Sequence, residues 1–272
     1  MSTAIDTPTY QLHQGSVPLL ISIPHLGTSI PEQFRDSYTD EALQTGDSDW
    51  HLDQVYAVAR SLGASMLGAK VSRYIVDLNR PPSGESLYPG QNTTGLCPLT
   101  TFHGSPLYKP GHEPDAAEVQ RRLESYWQPY HQALASEIER LRAQHGQVLV
   151  WEAHSIASVI PRLFDGKLPD LNFGTHSGLS CDPQLFEAAT APLQAVQGFS
   201  HVVNGRFKGG YNTRHYGNPG SGVHTIQLEM CQSIYMNEAY PYEYREVTAQ
   251  PVQKLIGEML AAGLAYLRSV AK

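Results

Sequence analysis

Two hydrophobic patterns alternate along the chain: short unbroken apolar runs, and longer stretches with apolar residues three or four apart. Residues 17–24 (VPLLISIP) form a run of buried-strand length that ends at His25-Leu26-Gly27. Leu52, Val55, Tyr56, Ala59 and Leu62 then repeat at helical spacing. Asp47, Ser48 and Asp49 offer N-cap oxygens before them and Gly63 a stop after them, which predicts a helix. Residues 64–69 and 73–79 read as two short strands. Residues 81–114 hold seven prolines and five glycines in 34 positions, which excludes a regular element and predicts a long loop, often a lid or binding loop. Pro114 suits the first position of a long helix whose stripe is Leu123, Trp127, Tyr130, Leu134, Ile138 and Leu141, closed by Gly146. Residues 147–153 (QVLVWEA) are a second buried strand running into His154, 183–196 are helical, and 223–229 (VHTIQLE) are a third strong strand. Val252, Leu255, Ile256, Met259, Leu260, Leu264 and Leu267 mark a last helix. No repeat and no linker-like break interrupts this alternation. It predicts one α/β domain over residues 1–272, with a mixed, mainly parallel central sheet flanked by helices.

Composition narrows the partners. The chain has 272 residues, 41% hydrophobic and 17% charged, which is ordinary for a soluble globular protein. With 26 acidic residues against 19 Lys and Arg, the net charge of -7 argues against nucleic acid as the main partner. No apolar run reaches the ~18 to 20 residues of a membrane span. The opening MSTAIDTPTYQLHQG has no basic or apolar region of a signal peptide, so a cytoplasmic location is expected. Cys97, Cys181 and Cys231 are too scattered for a disulfide framework or a CxxC zinc site, and are read as structural thiols.

Chemistry gathers just beyond the apolar runs. His25 follows the first, Asn79 and Arg80 close RYIVDLNR, His154 follows QVLVWEA, and Glu229 ends VHTIQLE. Ligand crevices of open α/β sheets lie outside the carboxyl ends of the strands, so these ends suggest one convergent site. Two histidines and one carboxylate, with a position left for water, make a hydrolytic zinc site. His25 and His154 are the natural pair; Asp49 is the preferred carboxylate, with Asp47 and Asp53 as rivals. A single histidine after a strand is ordinarily a hydrogen-bonded turn residue, and it is the coincidence of two that points to a site. A Glu closing an apolar strand is costly to bury without a partner or role. His224, an odd number of residues from Glu229, faces the other way and suits a core or supporting role. Residues 205–222 (GRFKGGYNTRHYGNPGSG) carry six glycines, Arg206, Lys208 and Arg214, and no acid. In an acidic protein this is a cationic loop suited to capture an anionic small molecule. His112-Glu113 is not an HExxH motif, because residue 116 is Ala. GxSxG, P-loop and GxGxxG motifs are absent.

PHLGTSIP, DSDWHLDQVY, SRYIVDLNRPP, TTGLCP, His154-Ser155, GRFKGGYNTRHYG and VHTIQLEM together resemble the N-formylglutamate amidohydrolase family, in order, from about residue 17 to about residue 236. More remotely the pattern resembles the aspartoacylase and zinc carboxypeptidase superfamily. The resemblance implies a three-layer hydrolase-like fold (zinc carboxypeptidase-like), one divalent metal, usually zinc, and hydrolysis of N-formyl-L-glutamate in histidine degradation. It implies His25 and His154 as metal ligands and Glu229 as base. The superfamily relatives place a Glu three residues after the first His, where this chain has Thr28, so Asp49 as third ligand is an inference from this sequence; likewise Glu152 stands where an Asp two residues before the second His is expected. Arg73 is expected to stabilise the oxyanion. Asn79 and Arg80 are expected to hold one substrate carboxylate, and Arg206 or Arg214, with Tyr211, the other. A related amidase for another N-acyl amino acid, or a non-catalytic binder of acidic amino acids, are the alternatives.

Overall fold

The computed structural model describes residues 8–270 apart from 88, 89 and 91. Seven strands form one mixed sheet in the order β1-β3-β2-β4-β7-β5-β6. The strands are β1 (Tyr10–His13), β2 (Leu19–Ile23), β3 (Ser65–Ala69), β4 (Val148–Ile156), β5 (Leu171–Gly174), β6 (His201–Val203) and β7 (Val223–Cys231). β3, β2, β4 and β7 run parallel at the centre, β1 is antiparallel to β3, and β5, itself parallel to β6, is antiparallel to β7.

Every residue of β2, β4 and β7 is buried, because helices cover both faces. Leu20, Val148 and Val150 pack against Tyr130, Leu134, Ile138 and Leu141 of the long helix. Ile21, Trp151 and Ile226 pack against Val252, Leu255, Ile256 and Met259 of the last helix, Glu246–Val270. The three-layer α/β architecture is the one expected. Side chains alternate along a strand, so the face bearing Val148 and Val150 continues upward into Glu152 and His154. The apolar face covered by the long helix thus becomes polar at its carboxyl end. The switch begins at Ser22, whose hydroxyl lies 2.9 Å from the Tyr130 hydroxyl.

Several local expectations change. Residues 73–79 are not a strand. Ile75 N–H donates to Ser72 O at 2.9 Å, Asp77 N–H to Leu96 O at 2.7 Å, and the Asp77 carboxylate accepts Asn79 N–H at 2.9 Å. Tyr74, Ile75, Val76 and Leu78 are all buried, and that continuous apolar run imitates a strand. The helix expected over 52–62 is two single turns, Leu52–Val55 and Val58–Ser61, entered through His51 at φ 63°. Asp47, Ser48 and Asp49 therefore do not cap it. The long helix begins after an Asp115 cap that accepts Glu118 N–H, with Pro114 one residue outside it. It runs Ala116–Arg122, passes through a π-helical turn at Leu123–Trp127, and continues over Gln128–His145. Within the expected cationic loop, Tyr211–Tyr216 is helical. Among the described residues no helix is long and apolar enough to cross a membrane.

Candidate active site

β2 ends at Ile23 and the chain turns at His25 to run closely past residues 70–71. Gly27 permits this approach: a Cβ there would lie 2.1 Å from Val71 O. The same turn brings in Asp49, whose N–H donates to His25 O at 2.9 Å, while Ser48 Oγ donates to Gly27 O at 3.0 Å. On the neighbouring strands the register pairs His154 with Glu229 and Glu152 with Gln227, so all four share one face of the sheet.

His25, Asp49 and His154 meet, buried, with one potential ligand atom from each lying within 4.8 Å of the others. His154 Nδ1 is 3.1 Å and His25 Nδ1 3.7 Å from the same oxygen, Asp49 Oδ2. The outward nitrogens have partners of their own. His25 Nε2 is 2.7 Å from Asp77 Oδ1, and His154 Nε2 is 3.1 Å from Asn79 Nδ2 and 3.8 Å from Glu152 Oε2. An imidazole that ligates a metal ordinarily donates its other ring N–H to an acceptor, as His25 Nε2 can to Asp77; the Asn79 amide nitrogen facing His154 Nε2 is itself a donor. Glu152 Oε1 has no hydrogen-bond partner although it is buried, which leaves acceptor capacity behind His154. The donor set and its surroundings fit a divalent cation of the zinc type.

The rival carboxylates lie elsewhere. Asp47 Oδ2 accepts Phe102 N–H at 2.8 Å and its carboxyl is raised to about 6 by burial, with Arg73 opposing. Asp53 is exposed on the Leu52–Val55 turn. His224 accepts Asp182 N–H at its Nδ1, 3.2 Å away, beneath the helix Pro183–Thr190, a supporting role in keeping with its register.

The electrostatics divide the acids. Burial would raise Asp49, but the hydrogen bond from His154 and the facing His25 imidazole hold it at about 2. Asp77 is likewise held far below the usual carboxylate range by Arg73, His25 and Arg80 despite its burial. Glu229 behaves oppositely: burial and the Asp49 charge push it up to about 8 against the pull of His25, Arg73 and Arg80. Arg73 NH2 donates to Asp77 Oδ2 at 2.6 Å, NH1 lies 3.2 Å from His25 Nδ1, and the guanidinium stands 4.6 Å from the Phe102 ring centre.

A cleft opens over this cluster. His25, Arg73, Asn79, Arg80, His154, Arg206, Gly210, Gln227 and Glu229 line it, with Asn92, Thr93 and Thr94 from the 81–114 loop and with Phe102 and Phe207. Arg80 is steadied by Thr94, donating Nε–H to its carbonyl at 3.0 Å. Arg206 donates Nε–H to Leu163 O at 3.0 Å and NH2 to Asn92 O at 3.1 Å. Tyr211 and Arg214 are not among the described residues lining the cleft. The Tyr211 ring stacks on His215 with centroids 4.8 Å apart, and Arg214 donates to Gly209 O and Leu87 O at 2.9 and 3.2 Å. A Cβ on Gly210 would lie 2.3 Å from the Asn79 amide nitrogen. Asp77 and Gln227 were not picked out from the sequence, and Glu152 only as the residue standing in for an expected Asp. The available signal was their burial cost: each is an acid or amide inside an apolar run. The three cysteines are free thiols, two of them buried.

A family model described as N-formylglutamate amidohydrolase matches residues 17–236. The chain belongs to the N-formylglutamate amidohydrolase family. It is 52% identical over 254 residues to the N-formylglutamate deformylase of Pseudomonas putida, covering 93% of this chain and 95% of that protein. It is 49% identical over 255 residues to the N-formylglutamate deformylase of Pseudomonas aeruginosa, covering 94% and 96%. Membership makes the chain an amidohydrolase. The crystal structure of N-formylglutamate amidohydrolase from Ralstonia eutropha JMP134 has the same fold, with a TM-score of 0.81 at 24% identity over 96% of this chain and 99% of that one.

Proposed function

We propose that this family member is a cytoplasmic, single-domain zinc enzyme that hydrolyses N-formyl-L-glutamate to formate and L-glutamate in histidine degradation. The observation that carries this reading is the convergence of His25, Asp49 and His154 with Glu229 set in register beside His154. The names of the two Pseudomonas relatives supply the substrate.

His25, Asp49 and His154 would hold the cation. Bound there, zinc supplies Lewis acidity and lowers the pKa of a water from ~15.7 towards ~7. A cation there would oppose the Asp49 charge that raises Glu229 and so favour its carboxylate form. Glu229 takes a proton from the attacking water as its oxygen bonds to the formyl carbon. Arg73, oriented by Asp77, donates to the carbonyl oxygen as that atom gains charge. Glu229 then delivers its proton to the amide nitrogen as the C–N bond breaks, freeing formate and the amine of glutamate.

A formyl group offers little surface, so recognition falls on the two carboxylates of glutamate. Asn79 and Arg80 hold one. Arg206, which lines the cleft where Tyr211 and Arg214 do not, holds the other. An uncharged pocket could not select such a dianion. Comparing kcat/KM for N-formyl-, N-acetyl- and N-succinyl-L-glutamate tests the assignment. The formyl substrate is expected to lead by at least about tenfold; a lead for either of the others would reassign the substrate.

A further inference from the structure

The residues proposed to orient and bind substrate (Arg73, Asp77, Asn79 and Arg80) sit on one strap, residues 73–80, that belongs to no strand. Such backbone must find partners for its carbonyls outside a sheet. Those partners come largely from one side of the long helix. Arg122 NH1 donates to Ile75 O, His131 Nε2 to Leu78 O, and Trp127 Nε1 to Arg80 O, each at 3.0 Å. The last two flank Asn79, whose amide faces His154 and whose Oδ1 accepts Asn212 N–H at 2.9 Å.

Arg122 and Trp127 are five residues apart. In an α-helix a step of five leaves the second side chain about 140° round from the first, so both could not address one strap. The π turn at Leu123–Trp127 reduces that offset, since its wider i→i+5 closure takes more residues per turn than an α-helix. His131 follows one regular turn later. Its ring lies between Trp127, stacked at 3.7 Å, and Tyr216, whose hydroxyl is 2.8 Å from His131 Nδ1. Burial keeps this imidazole neutral, at about 3. Trp127 and His131 touch neither the proposed metal ligands nor Glu229, and the hydrolytic scheme above does not use them.

We infer that Trp127 and His131 are positioning residues: they grip the carbonyls on either side of Asn79 and so fix Asn79 and Arg80 for the substrate carboxylate, while the π turn brings Arg122 towards the same strap. This rests on the substrate reading above. The test uses Trp127→Phe and His131→Phe, which keep an aromatic ring and remove the N–H donor, with His131→Gln restoring a donor. Steady-state kinetics on N-formyl-L-glutamate, metal content, and hydrogen exchange of the amides of residues 73–80 are compared with the unaltered enzyme. Both ring-retaining variants are expected to raise KM about fivefold or more, with most of the loss in kcat/KM carried by KM. They should keep their metal, exchange faster over the strap, and show recovery of KM in His131→Gln. An unmoved KM in both, even with a lower melting temperature, would overturn the inference and leave these residues a structural role. An unaltered enzyme that releases no formate would reject the substrate reading itself, an outcome distinct from an active enzyme whose variants keep their KM.

Discussion

Glu229→Gln is expected to lower turnover of N-formyl-L-glutamate by at least about 10²-fold, because it removes the group proposed to carry the proton from water to the leaving amine. Metal content should not change, since His25, Asp49 and His154 are untouched. The amide is nearly the size of the carboxyl, and the β4–β7 pairing beneath it is made by backbone. A second consequence concerns stability in chelator. Glu229 titrates at 4.5 when unperturbed and at about 8 when folded, so folding favours its protonated form. Its contribution is fully present below about pH 4.5 and disappears as pH rises through about 8. Glutamine does not titrate. The metal-free variant should therefore gain on the metal-free unaltered protein between these limits, by an amount on the order of a few kcal/mol. Urea midpoints measured across pH 5 to 9 read this directly. A drop in turnover of less than tenfold would remove Glu229 as the base, and a variant that loses ground with rising pH would contradict its burial as a protonated acid.

The second large effect belongs to Asp49. Among the described residues its carboxylate is the anion both Nδ1 atoms face, and it is held at about 2, so it presents full charge to a cation at any working pH. Asp49→Asn keeps the shape and a hydrogen-bonding oxygen but discards the charge. Affinity for zinc, measured by competition with a chromophoric chelator, is expected to fall at least about 10²-fold, with activity falling alongside at limiting metal. Unchanged affinity would hand the ligand role to another carboxylate, and Asp47, buried nearby, would be the first to examine by the same substitution.

How much of this was legible in the sequence depended on whether burial was continuous. β2, β4 and β7 are buried along their whole length and announced themselves as apolar runs, and the residues at their ends followed. β1 and β6 alternate between half-buried and exposed, and β5 is four residues long, so none stood out from its surroundings. Residues 73–79 were misread as a strand for the converse reason: their side chains are all buried while the backbone turns. That error hid Asp77, which turns back beneath His25 in a way no strand would allow. Asp49 could be guessed from residue type, but not the hydrogen bond from its N–H to His25 O that places it. The cationic loop offered Arg206 or Arg214, with Tyr211, for the second carboxylate; the short helix Tyr211–Tyr216 within it gave no separate signal among so many glycines.

Formate release from N-formyl-L-glutamate, followed on one preparation before chelation, after metal removal verified by elemental analysis, and after zinc is restored, is the most direct trial of the site. Activity should vanish with the metal, return with about one equivalent of zinc per chain, and leave the far-ultraviolet circular dichroism unaltered throughout. Full activity in the verified metal-free protein would contradict the assignment of His25, Asp49 and His154 as the ligands of a catalytic cation.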